Sequence, residues 1–345
     1  MSTETRTFAY VGNADSGDIT VLELRADGSL ATLDTTPVPG IDKPASSLPL
    51  AVSPDRSRLY AAVRVEPFAA VSFSIAPSTG RLSLIGSAAL ADSMAYIATD
   101  RSGRSLFGAS YGGSKFSVSP IGTDGVVGPP QQVEATGPNA HAILADPTNR
   151  FVLATSLGGG LVHQLTIDAS TGRLSPNNPP TAAIPAGSRP RHLVFSPDQR
   201  FVYVLGELDT TIHVLPWDAE AGTLGAPIQS VSALPAGFTG KPWSADIHGT
   251  PDGRYLYASE RTSSTLAAFR IDIPTGRLTL IGTVPTETQP RGFAIDPSSR
   301  YLLAAGQLSN RLTCYAIDQQ TGALTKVADT AVGQNPNWIE IVSLP

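Results

Sequence analysis

The sequence predicts an all-β protein, a seven-bladed β-propeller whose ring is closed by pairing of its N- and C-terminal strands. Three observations predict it. A unit of roughly 45 to 55 residues recurs seven times along the chain of 345 residues, and a period of that length marks repeat architectures rather than separate domains. Each unit carries characteristic turns. One is built on a proline (Pro54, Pro147, Pro197, Pro251, Pro297). The other reads Thr-Gly-Arg-Leu at Thr79 to Leu82, Thr171 to Leu174 and Thr275 to Leu278, with looser copies at Asp27 to Leu30, Asp124 to Val127, Ala221 to Leu224 and Thr321 to Leu324. Only short apolar runs lie between these turns. With 32 Gly, 29 Pro and 15% charged residues, the composition suits many tight turns and suits neither long helices nor disorder.

One unit shows the element order. Arg191 to Ser196 reads as an inner strand, Pro197-Asp198-Gln199 as a turn, Phe201 to Gly206 as a second strand, Thr211 to Trp217 as a third, and the segment after Ala221-Gly222 as a fourth. The second strands then align as Phe8 to Val11, Leu59 to Val63, Leu106 to Ala109, Phe151 to Thr155, Phe201 to Leu205, Leu256 to Ser259 and Leu302 to Ala305. A unit of this kind cannot bury its own apolar face, so residues 1–345 are expected to form a single domain. The last apolar strand, Trp338 to Val342, has no room for a blade of its own. It is expected to pair with the N-terminal strands and leave no long open edge.

The formal net charge is −5. A general positive field of the kind that drives binding to nucleic acid or membrane surfaces is absent, although a local basic pocket is compatible with it. The expected partner is a small molecule, bound by a monomer or weak homodimer. Cys314 is the only cysteine, which excludes an intrachain disulfide and a cysteine metal cluster; in its apolar run it reads as a small buried hydrophobe. The N-terminal residues lack a basic region followed by an apolar core, and no run approaches 18 apolar residues, so a cytoplasmic location is expected.

In antiparallel neighbours the start of the inner strand lies beside the end of the second strand, so both project from one face of the disc near its central channel. Those two slots hold unusual residues. Seven residues after Arg104, Arg200, Arg254 and Arg300 stand Tyr111, Glu207, Arg261 and Gln307. Six residues before a turn proline stand His141, Arg191 and Arg291. His192 follows Arg191, Asp246 and His248 lie a little further along the next inner strand, and Asn13 and Arg64 end second strands in the first units. Equivalent scaffold positions carrying different polar chemistry point to a site.

Plainer readings compete at each position. The prolines' neighbours, such as Asp198 and Arg200, read as turn residues of the opposite face. Arg191, Arg261 and Arg291 can be surface charges, yet three arginines at channel-facing strand ends stand out among only 24 basic residues. Glu207 can simply pair an arginine, His141 and His192 can be satisfied rim histidines, and His248 can bond Asp246 structurally. His163 and His213 fall in outer-strand patterns and read as bland.

Several chemistries are excluded at motif level. The chain has no G-x-S-x-G elbow, no H-E-x-x-H helix, no Walker loop and no G-x-G-x-x-G entering a helix. Gly158-Gly159-Gly160 reads as a hairpin because no helix follows. A metal site from two or three histidines and Asp246 is compatible with the sequence, but the spacing gives it no strong support, and neither a metal nor a cofactor is expected.

Several stretches carry a family resemblance: Arg189-Pro-Arg-His-Leu-Val-Phe-Ser-Pro, Gly206-Glu-Leu, Trp243-Ser-Ala-Asp-Ile-His, Pro251-Asp-Gly-Arg-Tyr-Leu-Tyr-Ala-Ser-Glu-Arg-Thr, Thr286-Glu-Thr-Gln-Pro-Arg-Gly-Phe, Ala305-Gly-Gln and Ala331-Val-Gly-Gln-Asn-Pro-Asn-Trp. They resemble the cycloisomerase-2 or lactonase family of seven-bladed propellers over almost the whole chain, most densely from Arg189 to Trp338. The family also contains a fungal enzyme that cyclises 3-carboxy-cis,cis-muconate, and its catalytic pattern of histidine, arginine, glutamate and arginine falls on His141, Arg191, Glu207 and Arg261. The loop from Pro138 to His141 and the segment Gly240-Lys241-Pro242 depart from the family pattern and bear on substrate choice.

The resemblance implies hydrolysis of 6-phospho-D-glucono-1,5-lactone to 6-phosphogluconate in the oxidative pentose phosphate pathway. The alternatives are an unphosphorylated sugar lactone, cyclisation of a carboxymuconate, or a non-catalytic propeller that binds proteins. A δ-lactone is already reactive, so positioned water and one stabilised oxyanion suffice. On this implied reaction Glu207 would activate water or orient a histidine that does so. Arg191 and His192 would stabilise the oxyanion, and His141 would protonate the leaving ring oxygen. Arg261 and Arg291, helped by Arg64, would hold the phosphate. Tyr111 and Gln307 would bond sugar hydroxyls, with Asp246 and His248 lining the substrate site.

Overall fold

The structure, a computed structural model, describes residues 5–345. Seven antiparallel sheets stand around a central channel, and no helix occurs among the described residues. Six of the blades are continuous in sequence. Their inner strands are Leu50–Val52, Met94–Thr99, Ala140–Ala145, Pro190–Phe195, Ser244–Gly249 and Pro290–Ile295, which belong to blades 2 to 7. Blade 1 is composite: Pro336–Leu344 is its inner strand and pairs with Arg6–Asn13, from Arg6 opposite Leu344 to Gly12 opposite Trp338. The N- and C-terminal strands thus close the ring as the sequence predicts. All seven predicted second strands are found in place.

One element differs from its expectation. The fourth strand of blade 5 is split into Thr223–Leu224 and Gln229–Ser232. Pro227 lies in the gap and has no N–H to give the ladder.

The recurring turns are the joints between blades. Gly276 sits at φ +69° with its α-carbon flat against the ring of Phe201 in the preceding blade; a β-carbon there would stand 2.5 Å from that ring. Gly322 meets Tyr255 in the same way, and Gly80 meets Phe8. Glycine is needed here both for the left-handed conformation and for the close approach. The contact is sealed by hydrogen bonds from Tyr203 to the Gly276 carbonyl (3.1 Å) and from Tyr257 to that of Gly322 (2.8 Å). The arginine of the proline turn reaches the same joint. Arg200 pairs with Asp198 at 2.7 Å, lies over Phe201, and donates to the Ile273 carbonyl at 2.6 Å. Asp198 and Arg200 are therefore structural, on the face away from the candidate site. Cys314 is fully buried, and burial pushes its thiol up to about 12.

Candidate active site

The inner strands begin with an irregularity that decides where the site residues point. Pro190 pairs with Gly206 but His192 pairs with Leu205, so Arg191 is the extra residue of a β-bulge. Arg291 is extra in the same way between Pro290 and Gly292. His141 lies in the corresponding register shift of blade 4. A bulge bends the strand and re-aims one side chain, and here it turns His141, Arg191 and Arg291 away from the ladder. The ends of the second strands meet these starts as expected, with the Glu207 N–H donating to the Arg189 carbonyl at 2.9 Å and that of Gln307 to the Gln289 carbonyl at 3.1 Å.

Arg191 is the centre of the site and is 2% exposed. Its Nε lies 3.1 Å from Glu207 Oε2. Its Nη1 approaches the Ala245 carbonyl closely and stands 3.0 Å from His192 Nε2. Burying a guanidinium costs several kcal/mol, which only such a set of partners can offset. Glu207 is shared, because Arg261 Nη2 lies 3.4 Å from its Oε1 and the Trp243 indole N–H donates to the same oxygen at 3.1 Å. Arg261 is itself pinned. It donates to the Trp243 and Ser244 carbonyls at 3.1 and 2.9 Å, and its guanidinium stacks 3.6 Å above the Trp243 ring.

Arg64 and Arg291 are held differently. Arg64 donates to Ser93 Oγ at 3.0 Å and Ser47 Oγ at 2.5 Å, while Arg291 donates to the Ser46 carbonyl at 2.7 Å. Among the described residues neither has a carboxylate partner, unlike Arg191 and Arg261. Burial, then the charge of Arg191, lowers Arg64 to about 10; burial, Arg191 and Arg64 lower Arg291 to about 9. Both remain cations at neutral pH, repelling each other across the Ser46-Ser47 backbone, and an anion between them would relieve that repulsion.

The histidines are neutral. His141 is 4% exposed, its Nδ1 has no hydrogen-bond partner, and burial followed by the charge of Arg191 holds it well below the usual range. Its ring centroid lies 5.0 Å from that of His192 and 5.9 Å from that of the rim residue Tyr111. Burial and Arg191 bring His192 down to about 4. Tyr96 and Trp338 close the channel beside it, with ring centroids 5.2 and 6.1 Å from the imidazole. His248 shifts the other way: burial lowers it, but Asp246, at 3.2 Å from its Nε2, raises it above the ordinary value.

These shifts make a prediction about the fold. The unfolded chain binds protons at its histidines near pH 6.5, whereas folded His192 refuses one until about pH 4. Stability therefore rises with pH across that window. The contribution is fully present above pH 6.5 and is lost as pH falls to about 4, on the order of 3 kcal/mol for His192. Urea unfolding midpoints at pH 7, 5.5 and 4.5 should fall progressively, and less steeply in His192→Gln. Equal slopes for the two proteins would rule out His192 as the source.

The predicted residues thus converge, but not all are available to a ligand. Gln307 accepts from Gln289 Nε2 at 3.1 Å and donates to Asn335 at 2.7 Å, so both ends of its amide are engaged. Asn13 is buried and donates to Asp18 and Thr20. His213 bonds two serine hydroxyls outside the site, in keeping with its bland reading. Trp243, Trp338, Tyr96, Ser47 and Asn337 were not singled out by the sequence reading. Asn337 was within reach, since it follows Pro336 as Arg191 follows Pro190 and Arg291 follows Pro290.

Comparison with known proteins agrees with this architecture. The family described as "Lactonase, 7-bladed beta-propeller" matches residues 8–341. The chain is 42% identical to a 6-phosphogluconolactonase of Pectobacterium carotovorum, over 97% of this chain and 98% of that one. It is 39% identical to a 6-phosphogluconolactonase of Serratia proteamaculans over the same shares. Among solved structures, a periplasmic gluconolactonase of Pseudomonas aeruginosa superposes with a TM-score of 0.88 at 28% identity, covering 99% of this chain and 100% of that one.

Proposed function

The chain belongs to the lactonase family of seven-bladed β-propellers, and from that premise we propose that it hydrolyses 6-phospho-D-glucono-1,5-lactone to 6-phosphogluconate, in the oxidative pentose phosphate pathway. The observation that carries the phosphate is the contrast among the four arginines. Arg191 and Arg261 share the one carboxylate of Glu207, whereas Arg64 and Arg291 have no carboxylate partner among the described residues. Guanidinium forks suit phosphate oxygens and stay charged. Phosphate held by Arg64 and Arg291 would direct the lactone ring toward Arg191 and His141, and Arg261 would position Glu207 rather than bind phosphate.

The chemistry follows from the same geometry. Arg191 stabilises the oxyanion that develops on the lactone carbonyl. Neutral His141, whose Nδ1 no protein group occupies, takes a proton from the attacking water as its oxygen bonds to the carbonyl carbon. It returns that proton to the ring oxygen as the carbon–oxygen bond breaks. Glu207, whose oxygens are held by two arginines and an indole, keeps the guanidiniums aimed. No helix among the described residues is long and apolar enough to cross a membrane. A cytoplasmic location fits a phosphorylated substrate.

The test is a specificity ratio. Wild type should prefer the phosphorylated lactone over gluconolactone in kcat/KM, and Arg64→Ala/Arg291→Ala should lose that preference by raising KM for the phosphorylated substrate alone. Each charge-assisted contact is worth about 1.5–3 kcal/mol, so the ratio should fall by at least 10²-fold. An unchanged ratio would move the phosphate to other groups, Arg261 first, and a wild type without the preference would assign the site to an unphosphorylated lactone or to another anion.

A further inference from the structure

We infer that Asp246 is a positioning residue that fixes the tautomer of His192 and, through it, the aim of Arg191, and that it does not contact substrate. Arginine can only donate hydrogen bonds. Its Nη1 lies 3.0 Å from His192 Nε2, so that nitrogen presents its lone pair and the imidazole proton is on Nδ1. Nδ1–H then donates to Asp246 Oδ1 at 2.8 Å. The line Asp246, His192, Arg191 crosses from blade 6 to blade 5 and ends on the group assigned to the oxyanion.

Asp246 has nothing left for a substrate. A carboxylate offers about four acceptor positions. Oδ1 also accepts from the Ile247 N–H at 3.0 Å, while Oδ2 accepts from the Phe293 N–H at 3.3 Å and lies 3.2 Å from His248 Nε2. Four donors from three blades therefore occupy it, and its side chain is 12% exposed. This differs from the expectation that Asp246 lines the substrate site; the physical reason is that its acceptors are already full. His248 likewise spends its Nε2 on Asp246.

Asparagine at this position would present an NH2 group to donors on either side. The strain is relieved when His192 moves its proton to Nε2, which then opposes the Arg191 Nη1–H. Arg191 would keep Glu207 and the Ala245 carbonyl but lose one of the two contacts that orient Nη1.

Two readouts test the inference, and the kinetic one rests on the lactonase reading. The first is the tautomer of His192 in the wild-type protein, from long-range 1H–15N correlations of its five histidines, with the His192 signals identified by their loss in His192→Gln. An Nδ1–H tautomer at pH 7 is expected, and an Nε2–H or doubly protonated ring overturns the inference whatever the activity. The second is Asp246→Asn. We expect a switch to Nε2–H, a fall in kcat of roughly 10- to 10³-fold, and a change in KM of less than about threefold, the pattern of a lost transition-state contact. A switched tautomer with unchanged kcat overturns the link to Arg191. Should the variant fail to fold, the wild-type tautomer still decides. Should wild type not hydrolyse the lactone, the proposed function fails while the tautomer result stands.

Discussion

His141→Asn is expected to lower kcat on the phosphorylated lactone by about 10²- to 10⁴-fold, the usual worth of a positioned general base, while leaving thermal stability nearly unchanged. The two halves have one cause. His141 is buried, yet its Nδ1 has no hydrogen-bond partner, so no buried bond is broken when the ring is removed. A buried polar nitrogen without a partner costs about 1–3 kcal/mol, so the ring brings the fold no hydrogen-bond stabilisation at Nδ1. Burial and the Arg191 charge keep the ring neutral, so its lone pair is free to take a proton, and its worth as a base comes from position rather than from basicity. The check is steady-state kinetics corrected for spontaneous lactone opening, with thermal melts alongside. A variant with full kcat would move proton transfer to another group, Glu207 first. A variant that lost stability in step with activity would make His141 a structural residue.

How much of this was legible beforehand differs between slot and partner. Periodicity placed His141, Arg191 and Arg291 at inner-strand starts and Glu207 and Arg261 at second-strand ends, because both slots lie at fixed offsets from turns that recur in every blade. The chemistry within a slot depends on contacts far apart in sequence, which a period does not encode. Arg261 and Arg291 look alike as strand-end arginines. Only the fold shows that one stacks on Trp243 beside Glu207, while the other reaches across to Ser46 in the loop before blade 2. Asp246 is a similar case. It reads as a polar residue facing the channel, and its loss to substrate comes from the Phe293 N–H of the next blade and two histidines, one of them in the preceding blade. The bulges that aim the bulged residues were also invisible, since a register shift leaves the hydrophobic pattern nearly intact.

Ending the chain at Asn335 is expected to abolish the cooperative fold altogether. The ten residues removed include the inner strand of blade 1, which pairs with Arg6–Asn13 along its whole length. Ile339, Val342 and Leu344 are each at most 5% exposed, and at about 1.5–3 kcal/mol apiece their loss alone removes roughly 5 to 9 kcal/mol. Typical domains have about 5–15 kcal/mol in total. The deletion also removes Asn337, whose Oδ1 accepts from the Leu48 N–H in the loop before blade 2 at 3.0 Å, and Trp338, which packs on Tyr96 in the channel. Blade 1 would lose its inner edge, and the exposed strand would be free to pair with other chains. If residues 5–345 fold as one domain, damage at this seam must spread to every blade, because each is braced by its neighbours. Far-UV circular dichroism during heating should show no sigmoidal transition, and a peptide of residues 336–345 added in excess should restore one. A truncated chain that melts cooperatively within a few degrees of the full-length protein would show instead that the other blades stand without the closure.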